Sequence, residues 1–253
     1  MKQRQIFSVT VCRIVSLLLA LAVTTVCLAG CTTAYGEPYG KEEVVAEVSN
    51  IVASEDYELV SVKTISEKPA DIEYTFRSTK RELTFTANSY LNPVYIDATK
   101  TPYYQKKISC SYVKEVHKLY SERVQAALAQ YEGYDSKNGW ITLLDFSDIR
   151  AAAEVLYAAS EIYAEELEYH DEAFLRNNPV ETVHAAWFPN QGAINAHEDW
   201  VNITSVSING IFDEETYYDQ LAHAYGRKVF TEKITDDSVI PEQYLTDDAQ
   251  EVS

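Results

Sequence analysis

The stretch Ile72–Ala87, IEYTFRSTKRELTFTA, alternates strictly between apolar and polar side chains on either side of Ser78-Thr79-Lys80-Arg81. Ile72, Tyr74 and Phe76 share one face before that polar break, and Leu83, Phe85 and Ala87 share one face after it. A period of two places every second side chain on the same side of an extended chain, so the stretch predicts a β-hairpin with one apolar face. That face needs a cover, and the flanking sequence changes to helical spacing.

Upstream, Val44, Val48, Ile51 and Val52 recur at helical intervals with Glu42, Glu43 and Glu47 between them, and Tyr57–Ile65 alternates loosely as one more strand. Downstream, Val113, Val116, Tyr120, Val124, Leu128 and Tyr131 form a stripe that predicts a long helix, with Gly133 placed as its C-terminal cap. Trp140–Phe146 reads as a short strand. Ser147 then stands where a helix with Ile149, Ala153, Leu156, Ala159, Tyr163 and Leu167 on its face would be capped, with Glu154, Glu161, Glu165 and Glu168 on its wet side. Glu181–Phe188 and Val201–Asn209 predict two strands separated by a polar stretch, Pro189–Asp199, and Asp213 opens a last helix through Tyr217, Leu221, Tyr225 and Val229. The expectation is an α+β fold, an antiparallel or mixed sheet with about four helices packed on it, in one domain over 41–235. Residues 236–253 hold Asp236, Asp237, Glu242, Asp247, Asp248 and Glu251 and no basic residue, and read as a solvated acidic tail.

The chain has 253 residues, 46% hydrophobic, with a formal net charge of -18, a composition that excludes collagen-like and disordered polypeptides. The charge is uneven. Between Arg77 and Lys118 lie eight basic residues, Arg77, Lys80, Arg81, Lys100, Lys106, Lys107, Lys114 and Lys118, against three acids. This block is either a basic face for an anionic partner or is neutralised by the Glu-rich helix after Ser147. The acidic remainder repels a phosphate backbone, so no nucleic-acid partner is expected.

The N-terminus carries Lys2 and Arg4, then the apolar run Ile14–Leu28, IVSLLLALAVTTVCL, ending at Ala29-Gly30-Cys31. Fifteen residues fall short of the roughly 20 needed to span a bilayer, and the pattern is that of an export signal. Leu28-Ala29-Gly30-Cys31 resembles the lipobox of bacterial lipoprotein precursors: a branched apolar residue, two small ones and a cysteine. The resemblance implies diacylglycerol transfer to Cys31, cleavage after Gly30, removal of residues 1–30, and retention on the outer side of the cytoplasmic membrane by a lipid anchor. Thr32–Gly40, TTAYGEPYG, then reads as a tether of at most about 30 Å. The signal holds Lys2, Arg4 and Arg13 and no acid, so the remaining chain has 18 basic and 39 acidic side chains, a net -21. Loss of Cys12 and Cys27 and acylation of Cys31 leave Cys110 as the one thiol, which excludes an internal disulfide and a multi-cysteine zinc site.

Candidate chemistry is sparse. No phosphate loop, dinucleotide glycine pattern, nucleophile elbow or His-Glu-x-x-His pair occurs, and no cofactor is expected. His184, His197, Glu198 and Asp199 are candidate ligands of a divalent metal if the strands from Glu181 and Val201 pair, which is the basis of an alternative expectation, a metal-dependent envelope hydrolase. Cys110 and His117 are seven residues apart, about 10 Å along a helix, too far for proton transfer. All 19 Tyr and 3 Trp lie beyond the signal. Trp187 and Trp200 could form an aromatic rim for sugar or peptide, and Lys106 and Lys107 part of a binding face. The leading expectation is a non-catalytic ligand- or protein-binding domain, with an envelope or extracellular protein or polymer as partner.

Overall fold

The structure is a computed structural model, and it describes residues 36–52, 56–95, 102–231, 233–236 and 238–246. Cys31 and Lys100 lie outside them. The elements, in chain order, begin with α1 (Lys41–Val52), then β1 (Tyr57–Glu67), β2 (Ala70–Ser78), β3 (Thr84–Tyr95), β4 (Pro102–Cys110) and α2 (Tyr112–Leu128). They continue with β5 (Tyr134–Asp135), β6 (Trp140–Leu143), α3 (Asp148–Ala164), a 3-10 turn (Glu165–Glu168), α4 (Glu172–Asn177), β7 (Glu181–Trp187), α5 (Gln191–Ala196), β8 (Val201–Ile208), α6 (Glu214–Phe230) and a second 3-10 turn (Glu242–Tyr244). The fold is α+β, as its sequence predicts. The strands divide into two four-stranded sheets, β1-β2-β3-β4 and β5-β6-β7-β8.

The residues fall into two compact units. One comprises the described residues up to Val44 with Val62–Glu73 and Asn88–Ile108. Within it Leu91 and Ser89 are buried, and the Ser89 hydroxyl donates to the Tyr39 carbonyl at 2.8 Å. The other comprises Val45–Ser61, Tyr74–Ala87 and everything from Ser109 onward. In this unit the hairpin turn closes as expected, with Ser78 N–H donating to the Leu83 carbonyl at 2.9 Å. Phe76 stacks on Phe85 at 5.4 Å, and Phe85 meets Tyr112 of α2 edge-on at 5.0 Å.

The second sheet is mixed. β5 and β6 are antiparallel, β6 and β7 parallel, and β7 and β8 antiparallel. A parallel pair requires a crossover of a dozen or more residues, and here α3 and α4 supply it. One face of the sheet, Ile141, Leu143, Val183, Ala185, Val206 and Ile208, is buried, as are Ala153, Leu156 and Ala159 of α3 and Tyr217, Leu221 and Tyr225 of α6, and α3 and α6 pack together and on β8. α6 starts at Asp213, whose carboxylate caps it by accepting from Thr216 N–H at 2.8 Å.

Two expected caps differ. α2 ends at Leu128, and Gly133 serves contact instead of capping: a Cβ there would stand 2.8 Å from the Thr142 carbonyl of β6. Ser147 makes no capping hydrogen bond; its hydroxyl donates to the Asp145 carboxylate instead. Beyond Thr235, Asp236 accepts from Phe146 N–H at 3.1 Å and Tyr244 is buried, so the described part of the C-terminal segment is held at these points, while Val239, Pro241, Glu242 and Gln243 are exposed.

Candidate recognition site

The register of the second sheet sets the site. Asp135 pairs with Trp140, Trp140 with His184, and His184 with Ser205, so four residues from four strands line up on the face opposite the core. His184 is exposed, and its Nδ1 lies 2.8 Å from the Ser205 hydroxyl. The β5–β6 turn is braced by Asp135, whose Oδ1 accepts from Lys137 N–H at 3.0 Å and Asn138 N–H at 3.3 Å. Gly139 completes it at φ +67.

The segment after β7 covers one end of this face. Asn190 caps α5 by accepting from Ala193 N–H, and Ala193 packs with Ala186 and Phe188 while Trp140 and Ile194 lean on them. His197 and Asp199 both have φ 55, a left-handed conformation that costs most side chains energy but that His and Asp adopt more readily than others. These reversals deliver two rings to Trp140: His197 stacks on it at 5.7 Å and Trp200 tilts against it at 4.6 Å. His197 Nδ1 donates to the Ile194 carbonyl at 3.0 Å, an assignment that follows because a carbonyl only accepts. Its Nε2 then accepts from the Asn138 amide at 3.2 Å, and the same amide donates to Asp135 Oδ2 at 2.6 Å. The Asn138 hydrogen bond, followed by backbone N–H groups and the nearby imidazole, holds the Asp135 carboxyl below the ordinary aspartate range despite slight desolvation.

The outcome is a preassembled aromatic shelf, with Trp200 42% exposed, bounded by an ionised carboxylate. A cavity of about 480 Å³ adjoins it, lined by Tyr131, Glu132, Tyr134, Asp135, Gln191 and Ile194 among others. Trp187 does not form the rim expected of it. It is 8% exposed and its indole N–H donates inward to the Leu144 carbonyl at 2.9 Å, because it shares the core-facing register position of Leu143; Trp140 stands in the rim instead.

The other expected residues are dispersed. Glu198 and Asp199 are exposed, and among the described residues no three His, Cys, Asp or Glu side chains gather as a set able to hold a metal. In the basic block Arg77 pairs with Glu58, Lys80 with Asp56, Arg81 with Glu166 and Lys118 with Glu115. Lys106 lies over the Tyr39 ring at 5.4 Å, and Lys107 is exposed. Cys110 ends β4 outside α2; burial pushes its thiol up, away from a reactive thiolate. His117 Nε2 lies 3.1 Å from the Asn178 carbonyl.

Sequence reading missed a buried polar cluster. Glu166 is fully buried, gripped by Arg81 through two hydrogen bonds of 2.6 and 2.8 Å and by the Tyr120 hydroxyl at 2.8 Å. His170 Nε2 lies 3.6 Å from the same carboxylate and 2.6 Å from the Tyr112 hydroxyl. Burial, then the Glu166 hydrogen bond, pushes the Tyr120 hydroxyl far up, so it remains a donor. A cavity of about 550 Å³ opens beside His170, with Cys110, Phe174 and Asn178 in its wall. The signal that hid this cluster was the 3-10 turn: at three residues per turn the buried face after Tyr163 moves from Leu167, which is 42% exposed, to Glu166.

No protein family, curated relative or solved structure matches this chain. Among the described residues no helix is long and apolar enough to cross a membrane.

Proposed function

We propose that this chain is a bacterial lipoprotein, anchored through Cys31 on the outer side of the cytoplasmic membrane, whose domain recognises a ligand or protein without chemical conversion. The anchor rests on the resemblance of Leu28-Ala29-Gly30-Cys31 to a lipobox. The recognition reading rests on one observation, the shelf of Trp140, His197 and Trp200 held open on the solvent face of the second sheet. Aromatic side chains with polar neighbours are over-represented at recognition surfaces, since they bring large contact area at small conformational cost. The alternative, a metal-dependent hydrolase, would draw its ligands from His184, His197, Glu198 and Asp199, which do not gather as a metal-holding set among the described residues.

Tryptophan fluorescence supplies the test. The full chain in detergent micelles is titrated with a panel of neutral oligosaccharides and of acidic, neutral and basic peptides. At least one panel member is expected to shift the emission of the native chain and leave Trp200→Ala unchanged. A native chain that responds to none of them sinks the recognition reading.

A further inference from the structure

We infer that the shelf takes a cationic side chain, lysine or arginine, from a basic peptide segment of an extracellular partner. The inference rests on the recognition reading above and narrows it to a ligand class. Two observations carry it.

The first is the chemistry of the exposed rings. An indole face attracts an ammonium or guanidinium group through its quadrupole, and Trp is the strongest of the aromatic side chains in this respect. Trp200 presents 42% of its surface beside Trp140, while Asp135, kept ionised by Asn138, is the cross-strand neighbour of Trp140, its carboxylate 3.8 Å from His197 Nε2. A cation on the shelf therefore meets both a π-face and a carboxylate.

The second is charge complementarity. The two segments that build the shelf and its adjoining cavity, 131–148 and 189–200, hold Glu132, Asp135, Asp145, Asp148, Glu198 and Asp199 against Lys137 alone. Glu132 and Asp135 line the 480 Å³ cavity, which has room for an alkylammonium or guanidinium stem. A neutral sugar would use the rings but gain nothing from this excess, and an anionic polymer would be repelled by it.

The probes are a Gly-Lys repeat peptide and its Nε-acetylated twin, equal in length and shape and differing in charge, together with a neutral oligosaccharide, all titrated against the full chain. The lysine peptide should shift tryptophan emission, and acetylation should weaken binding roughly tenfold, the combined size of one exposed cation–π contact and one surface ion pair. Raising the salt should weaken the lysine peptide several-fold and the twin hardly at all. Asp135→Asn, which retains the Oδ1 acceptor for the turn, should shrink the difference between the twins. Equal affinity of the twins, or response to the oligosaccharide alone, overturns the cation assignment and leaves the recognition reading standing. Lysine-peptide binding that survives unchanged in Trp200→Ala, measured by calorimetry, places the cation elsewhere on the acidic surface and also overturns it. Silence toward every probe and every panel member removes both.

Discussion

Glu166 has no exposed surface, yet it carries a formal charge, and its environment explains how that is tolerated. Arg81, only 9% exposed, supplies a bidentate partner, and the Tyr120 hydroxyl adds a third donor. Removing one member of such a pair strands the other charge away from water, so Glu166→Ala should lose roughly 3–5 kcal/mol of unfolding free energy in urea titration. The double replacement Arg81→Met with Glu166→Leu should recover most of that loss, leaving the Tyr120 hydroxyl short of an acceptor. Asp236 makes a different, pH-dependent contribution. Burial raises its carboxyl, but donors from Ser238, Tyr225 and Phe146 together outweigh burial and bring it below the ordinary aspartate range. A depressed folded value means that the stabilisation is complete above the unfolded value of about 4 and vanishes as pH falls through the folded one. Asp236→Asn should therefore be less stable than the native chain near neutrality, and the gap should close in acid. A gap independent of pH would show that the carboxylate charge is not what holds the segment.

Gly226 shows the same logic for a whole element. It lies inside α6, where alanine ordinarily stabilises by about 0.5–1 kcal/mol. Here a Cβ would stand 2.1 Å from the Tyr244 carbonyl oxygen, so the second 3-10 turn can dock on α6 only because the side chain is absent. Gly226→Ala should reverse the usual sign, destabilising by about 1–3 kcal/mol and opening residues 238–246 to proteolysis and hydrogen exchange. Elements of this kind also mark the limit of sequence reading. α1, α2, α3 and α6 each bury one apolar stripe over three or more turns, and the spacing of Val44, Val48 and Val52, or of Tyr217, Leu221 and Tyr225, predicts them directly. β4 is hard to read from sequence because its sheltered positions, Tyr104, Ile108 and Cys110, are only half-buried and the exposed Lys106 stands among them, so no clean apolar alternation marks the strand. α4 and α5, six residues each, are too short to display a helical period and stand on Asp171 and Asn190 caps within polar sequence. The shelf was half legible: Trp200 and the Pro189–Asp199 stretch were identifiable, but Trp187 and Trp140 exchange roles through strand register, which no local pattern encodes.

At the scale of the whole molecule, charge bears on the proposed membrane anchor. Beyond residue 30 the chain carries a net -21, and anionic headgroups repel such a domain within a Debye length of about 8 Å. Protein–lipid electrostatics would therefore oppose retention, and under the proposal anchoring falls to the lipid on Cys31. Each buried acyl CH₂ contributes about 0.8 kcal/mol, and two chains suffice for stable attachment where one is marginal. Intact mass measures this directly, and more cleanly than fractionation, because an unprocessed chain would still carry the apolar run Ile14–Leu28 and could sediment with membranes for that reason. The native protein from its membrane should lack residues 1–30 and carry a diacylglycerol adduct. Cys31→Ser should lack the adduct and keep residues 1–30, since lipid transfer precedes cleavage in the lipobox scheme. A native chain with no adduct, or one cut at another bond, would sink the anchor and leave the repulsion between an acidic domain and an anionic surface unopposed.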